Sequence, residues 1–209
     1  QSTLPFNESA EYGGLNGDPN QRECCVVVLD RSGSMSGEYN ARFSKIEAAG
    51  KAGRAFVYDK EACDPDDEVG LITFNGRAAV VVSPVALRTG RDQLIQALRN
   101  VRAGGGTDFV RAAEAADQVL RSAGPDVVGR MVLLTDGHAP DPRAITDAMK
   151  QRGVVIDVIG IGPDPSAVNE TVLQNVASVI EGQLRYRFIR DARTLIDHFT
   201  TLSSKTSTY

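Results

Sequence analysis

The chain has 209 residues, 42% hydrophobic and 24% charged, a balance that allows one sizeable α/β core and excludes intrinsic disorder. Its formal net charge is -4 with both signs scattered along it, so no basic tract marks it for nucleic acid and no acidic run forms a solvating tail. No uninterrupted apolar stretch is long enough to span a bilayer.

Residues 1–22 hold Pro5, Gly13, Gly14, Gly17 and Pro19 among few apolar positions and read as an irregular arm. Gln1 is not an initiator Met, so the sequence reads as a fragment or a processed form. Cys24–Leu29 is an apolar, partly β-branched run and predicts a strand buried on both faces. It ends at Asp30, and a polar loop follows in which Asp30, Ser32 and Ser34 recur at every second position. Taken alone, this is a strand running into an ordinary polar turn.

From about Ala41, Phe43, Ile46, Ala49, Gly53, Phe56 and Val57 recur at helical steps, with Ser44 and Glu47 spaced for a capping box. Gly50 and Gly53 lower helix propensity, which close packing onto a sheet would explain. Glu68–Asn75 predicts a strand, Asn75-Gly76 a hairpin turn, and Ala78–Val82 the antiparallel return, stopped by Ser83-Pro84. Arg91–Val101 has helical spacing; Gly104-Gly105-Gly106-Thr107-Asp108 is a flexible loop opening a helix from Phe109 to about Ser122. Met131–Thr135 is a buried strand ending at Asp136-Gly137, and Asp141-Pro142 reads as N-cap and first residue of a helix over Pro142–Arg152. A strand over Val154–Ile161, a helix over about Ser166–Ala177, a strand at Leu184–Ile189 and a last helix capped by Asp191 complete the alternation. Ser203–Tyr209 is a polar, frayed end.

This order predicts a single α/β domain over residues 23–202. Its mostly parallel, doubly wound six-stranded sheet has one antiparallel edge strand and helices on both faces. The three cysteines lack framework or metal spacing and read as buried free thiols of a reducing compartment, with Cys24 and Cys25 on opposite faces of the first strand.

Three loops carry the chemistry. If the first strand and the strand through Met131–Leu134 are neighbours at the switch point, then Asp30, Ser32, Ser34, Thr107 and Asp136 converge in one crevice at the strand ends. Carboxylates and hydroxyls without thiol or imidazole suit a hard cation, Mg²⁺ first. Ser32, Ser34 and Thr107 as direct, neutral donors leave the ion under-neutralised, with Asp30 and Asp136 orienting waters and hydroxyls. Such an ion favours one further carboxylate, an Asp or Glu supplied by another molecule. Arg31, Met35, Tyr39 and His138 are candidates for the rim that touches this partner; His138 itself is an exposed loop residue and His198 a structural one.

Asp30-Arg31-Ser32-Gly33-Ser34, Gly106-Thr107-Asp108 and Thr135-Asp136-Gly137 together resemble the von Willebrand factor type A family and its metal-ion-dependent adhesion site. The resemblance extends over roughly Cys24 to Leu202. It implies a Rossmann-like fold and protein binding that depends on Mg²⁺, or on Mn²⁺ or Ca²⁺ in its place. It also implies direct ligation by Ser32, Ser34 and Thr107, with Asp30 and Asp136 acting through water. The Asp-Arg-Ser-Gly-Ser-Met form resembles bacterial members, and the family serves adhesion and intracellular ATPase-linked complexes alike. Asp108 has no family role to carry over; a helix-capping role suffices for it. These features favour a cytoplasmic setting, with a cell-envelope or secreted fragment as the alternatives.

The enzyme alternative is Mg²⁺-dependent phosphoryl transfer in the same crevice. The chain lacks a Gly-x-x-x-x-Gly-Lys-Ser/Thr loop and a Gly-x-Gly-x-x-Gly after the first strand, and no second Asp stands two residues after Asp30. A non-catalytic binding module is the expectation, and a scaffold subunit of an ATPase-linked complex is a third reading.

Overall fold

The computed structural model describes residues 21–40 and 42–204. The arm expected over residues 1–22 therefore lies, apart from its last two residues, outside the described residues, as do residues 205–209 of the expected tail. The first strand, β1 (Glu23–Asp30), is buried along its whole length because both faces of the sheet are covered. Cys25, Val27 and Leu29 enter one hydrophobic core, while Cys24, Val26 and Val28 enter the other.

Two short strands follow, β2 (Glu38–Asn40) and β3 (Phe43–Ser44), paired antiparallel. The first helix, α1 (Lys45–Cys63), therefore starts later than its apolar period suggests. The Asn40 side chain accepts from the backbone N–H groups of Arg42 and Phe43, a local turn that competes with helix there. Ser44 and Glu47 form the expected capping box at the true start.

β4 (Glu68–Phe74) and β5 (Ala78–Ala86) form the hairpin at Asn75-Gly76. β5 does not stop at Ser83-Pro84. It is the edge strand, where a residue without N–H costs no ladder bond, and register shifts beside Leu71 absorb the irregularity. α2 (Leu87–Asn100) begins a turn earlier than the spacing from Arg91 implied, with Leu87 fully buried as its first anchor. α3 (Phe109–Arg121) is capped by Asp108, whose carboxylate accepts from the Arg111 N–H.

β6 (Val128–Thr135), α4 (Arg143–Gln151) and β7 (Val155–Ile161) continue the alternation. Pro142, not Asp141, holds the N-cap of α4, and the Asp141 side chain instead accepts from the Arg143 N–H. The helix expected over residues 166–177 is a 3-10 turn at Pro165–Ala167 followed by α5 (Glu170–Val176), which Asn169 caps. Beyond it, β8 (Val179–Ile180) and β9 (Gln183–Leu184) form a small hairpin that takes Leu184 from the main sheet. β10 (Tyr186–Ile189) completes that sheet, and α6 (Ala192–Ser203), capped by Asp191, still includes Ser203.

The main sheet runs β10-β7-β6-β1-β4-β5, parallel except for β4 with β5. From β1 the chain steps outward through β4 and β5, then returns to add β6, β7 and β10 on the other side. The β1–β6 boundary is thus the switch point where open α/β sheets form their crevice. α1, α2 and α6 cover one face, with Phe56 edge-on to Phe199 at 6.2 Å; α3, α4 and α5 cover the other, with Phe74 edge-on to Phe109 at 6.1 Å.

Gly50 and Gly53 are explained by a helix rather than by the sheet. A Cβ on Gly50 would lie 2.9 Å from the Leu98 carbonyl oxygen, and one on Gly53 2.7 Å from Leu98 Cδ2, so both glycines let α1 and α2 approach closely. All three cysteines are free, but Cys63 is exposed rather than buried. Burial pushes the thiols of Cys24 and Cys25 up to about 12, which makes them inert core residues. Among the described residues no helix is long and apolar enough to cross a membrane.

Candidate metal centre

β1 and β6 run parallel with Leu29 beside Leu134, so Asp30 and Thr135–Asp136 emerge side by side at the carboxyl end of the sheet. Asp30 is fully buried and both its oxygens are occupied: Oδ1 accepts from the Ser32 N–H at 2.7 Å, and Oδ2 from Thr135 Oγ1 at 2.7 Å. Burial raises the carboxyl above its usual range, against the lowering effect of the hydrogen bonds from Ser32 and Thr135; the nearby Asp136 charge adds to the rise.

After Asp30 the chain makes a short 3-10 turn over Gly33–Ser36 that turns both serine hydroxyls toward the crevice. Ser32 Oγ and Ser34 Oγ lie 3.1 Å apart, and Ser34 Oγ donates to Asp136 Oδ1 at 2.8 Å. Met35 leaves this turn for the opposite side and is completely buried against the α1 core, which removes it from the expected rim. Tyr39 is also tied inward, its hydroxyl donating to the Ile189 carbonyl at 2.7 Å. Arg31 and the exposed His138 remain at the margin, His138 with Nε2 at 3.4 Å from the Ser166 carbonyl oxygen.

The second loop is stitched to the first by backbone. Gly33 N–H donates to the Gly105 carbonyl at 2.8 Å, Gly104 N–H to the Arg31 carbonyl at 2.7 Å, and Asn75 Nδ2 to the Gly104 carbonyl at 2.7 Å. Gly105 adopts φ +90°, a left-handed conformation, and a Cβ there would sit 2.7 Å from Asn75 Nδ2. This places Thr107 over Gly137: a Cβ on Gly137 would lie 3.7 Å from Thr107 Oγ1 and 4.0 Å from Asp30 Oδ2. The five residues singled out in the sequence thus come together in one crevice.

Two participants were not legible in the motif. Thr135 was part of the third segment without a role, and it donates to Asp30. Lys45, at the first position of α1, donates from Nζ to Asp136 Oδ2 at 2.8 Å, with a side chain only 15% exposed. An ammonium thus already stands where positive charge is wanted.

Among the described residues no group of three or more His, Cys, Asp or Glu side chains is placed to hold a metal. The five motif residues bring two carboxylates and three hydroxyls, so the donor set fits a hard, oxygen-preferring cation and not a soft one. Asp30 is poorly suited to be a nucleophile, with one oxygen held by a backbone N–H, the other by a hydroxyl, and no exposure.

At the opposite end of the strands lies a second charged group. Lys60 Nζ sits 2.6 Å from Glu23 Oε2 and 3.1 Å from Asp67 Oδ2, while Asp157 takes Arg130 at 3.0 Å and Arg185 at 2.6 Å. This buried network is separated from the crevice by the length of β1 and joins α1, β6 and β7.

A family model described as von Willebrand factor type A domain matches residues 25–138. The chain is 31% identical over 186 residues to calcium-activated chloride channel regulator 3A-1 of Mus musculus, and 31% identical over 186 residues to calcium-activated chloride channel regulator 1 of Homo sapiens. Each alignment covers 88% of this chain and 19% of the relative, so the chain spans about a fifth of the length of these relatives. Among solved structures, a von Willebrand factor type A protein from Catenulispora acidiphila superposes with TM-score 0.73 at 24% identity, over 90% of this chain and 43% of that one. The family model spans more than half of this sequence, and the chain belongs to the von Willebrand factor type A domain family.

Proposed function

We propose that the crevice holds Mg²⁺, and that the domain uses it to capture an Asp or Glu side chain of a partner protein without catalysing a reaction. Domains of this family mediate protein–protein interactions. The single observation that carries the reading is the Ser34-to-Asp136 hydrogen bond, which joins two loops 102 residues apart and aligns hydroxyls with carboxylates. When bound, the ion supplies an electrophilic position that accepts one carboxylate oxygen from outside the chain.

Ser32, Ser34 and Thr107 would hold the ion through hydroxyl oxygens. Asp30 fixes the Ser32 backbone and, through Thr135, the end of β6; Asp136 orients the Ser34 hydroxyl. Neutral oxygen donors leave much of the ion's charge uncompensated, and that residual charge favours an anionic partner. The buried, doubly hydrogen-bonded Asp30 argues against phosphoryl transfer through an aspartyl-phosphate, which needs a free carboxylate oxygen. Because the chain matches about a fifth of the regulators' length, we assign it the binding step alone.

The test is binding of a fluorescent peptide with a single Glu, in MgCl₂ and in EDTA, to wild type, Ser32→Ala and Asp136→Ala. Binding in Mg²⁺ only, lost in both variants with the circular dichroism unchanged, is the expected result. Equal binding in EDTA would overturn the metal bridge, and phosphate release from a phosphopeptide by wild type but not Asp30→Asn would overturn the non-catalytic reading.

A further inference from the structure

We propose that a groove beside the crevice is a second anion subsite, and that the domain recognises a segment carrying two acidic side chains rather than one. The inference rests on the metal-bridge reading for the first acid. A cleft of about 520 Å³ opens between the loop after β1, the β4–β5 turn and Gly105–Gly106. A second cleft of about 430 Å³, toward α2, shares Arg31, Thr73 and Ala79 with it, so the two form one groove.

Arg31, Arg77 and Arg102 line this groove, and no acidic residue does. In a chain of net charge -4 that is a local reversal of sign. Elsewhere on the surface Arg88, Arg91 and Arg121 each meet a carboxylate within 3.1 Å. Two of the three groove arginines, Arg31 and Arg102, meet backbone instead. Arg31 Nη1 donates to the Arg102 carbonyl, and Arg102 Nη1 to the carbonyls of Arg99 and Val101. These contacts set the Arg31 and Arg102 guanidinium positions without neutralising them, so their charge stays available to an incoming anion.

The groove is built from the same backbone as the crevice. Arg31 stands between Asp30 and Ser32, and Gly105–Gly106 leads into Thr107, with the two loops joined by the Gly33–Gly105 and Gly104–Arg31 hydrogen bonds. The groove thus gives an extended segment with one carboxylate in the crevice a continuous path past Arg31 to Arg77. A short groove without aromatic lining offers no stacking surface for nucleic-acid bases, which favours an acidic peptide over an oligonucleotide.

The test compares three probes by titration and by the arginine side-chain Nε–Hε signals in NMR spectra. They are a twelve-residue Gly/Ser peptide with one Glu, the same peptide with a second Glu four residues away, and a dT12 oligonucleotide. Wild type in MgCl₂ should bind the two-acid peptide about five- to tenfold tighter than the one-acid peptide, with shifts at Arg31 and Arg77 for the two-acid peptide only. Arg77→Gln should erase most of the increment and leave one-acid binding as it was. Equal affinity for the two peptides, or unmoved Arg31 and Arg77 signals, overturns the subsite whatever happens at the crevice. Tighter binding of dT12 than of the two-acid peptide overturns the acidic peptide as occupant. One-acid binding that survives EDTA defeats the metal bridge instead, and the Arg31 and Arg77 signals still report on the groove in those samples.

Discussion

Lys45 Nζ lies 2.8 Å from Asp136 Oδ2, so the crevice proposed for Mg²⁺ contains a cation of its own. Two positive charges compete for one carboxylate there, and at the effective dielectric of a partly open site such a repulsion is on the order of 1 kcal/mol or more. Lys45→Met is expected to raise Mg²⁺ affinity about threefold to tenfold in calorimetric titration, and to lower the stability of the metal-free protein. Unchanged affinity would mean that the ammonium swings clear when the ion enters.

Gly105 sets the turn that leads into Thr107. Its φ of +90° and the 2.7 Å approach of a Cβ to Asn75 Nδ2 make Gly105→Ala doubly unfavourable, because Asn75 also holds the Gly104 carbonyl. We expect a loss of about 1–3 kcal/mol in urea unfolding, with weaker Mg²⁺ binding. A Cβ on Gly104 meets nothing within 4 Å, and Gly104→Ala should be close to neutral in the same assay.

The buried network at the far end of the sheet makes a stability prediction independent of the metal. Lys60 is fully buried between Glu23 and Asp67. Lys60→Met removes the ammonium from two buried carboxylates and should cost about 3–5 kcal/mol in chemical denaturation. Breaking the exposed Arg88–Asp66 pair by Arg88→Ala should cost far less in the same assay, because solvent screens the pair. Equal effects would show that the interior end of the sheet is wetter than its packing implies.

His198 sets a pH dependence. Burial, with Arg187 facing it and Arg185 and Arg130 nearby, lowers its pKa from 6.5 to about 4; the neighbouring Asp157 opposes the shift. Between those values the unfolded chain binds the proton and the folded chain does not, so stability rises with pH and is lost as pH falls from about 6.5 toward about 4. His198→Gln should flatten that part of the melting-temperature profile relative to wild type. Parallel profiles would show that His198 does not titrate in this way.

Several features needed only local sequence. The Ser44–Glu47 capping box, the Asn75-Gly76 hairpin, and the Asp108 and Asp191 caps bond groups three or four residues apart or fewer, and they formed as read. The order of strands and helices, with parallel sheets requiring crossovers, likewise determined a doubly wound sheet. The Asp30, Ser32 and Ser34 spacing, with Thr107 and Asp136 after later elements, named the residues of the crevice because strand ends are where such loops gather.

Tertiary structure decided whatever depends on neighbours distant in sequence. Lys45 stands 91 residues from Asp136, and nothing in its surroundings announces the pairing. Met35 sits within the polar loop yet packs in the core, because the 3-10 turn rotates it away from the serines. Gly50 and Gly53 signalled a close approach, but only the packing of α1 on α2 identifies Leu98 as the neighbour. Local hydrogen bonds and periodicity are written in short spans of sequence, whereas charge pairing across loops follows from the register of β1 beside β6 once the sheet has formed.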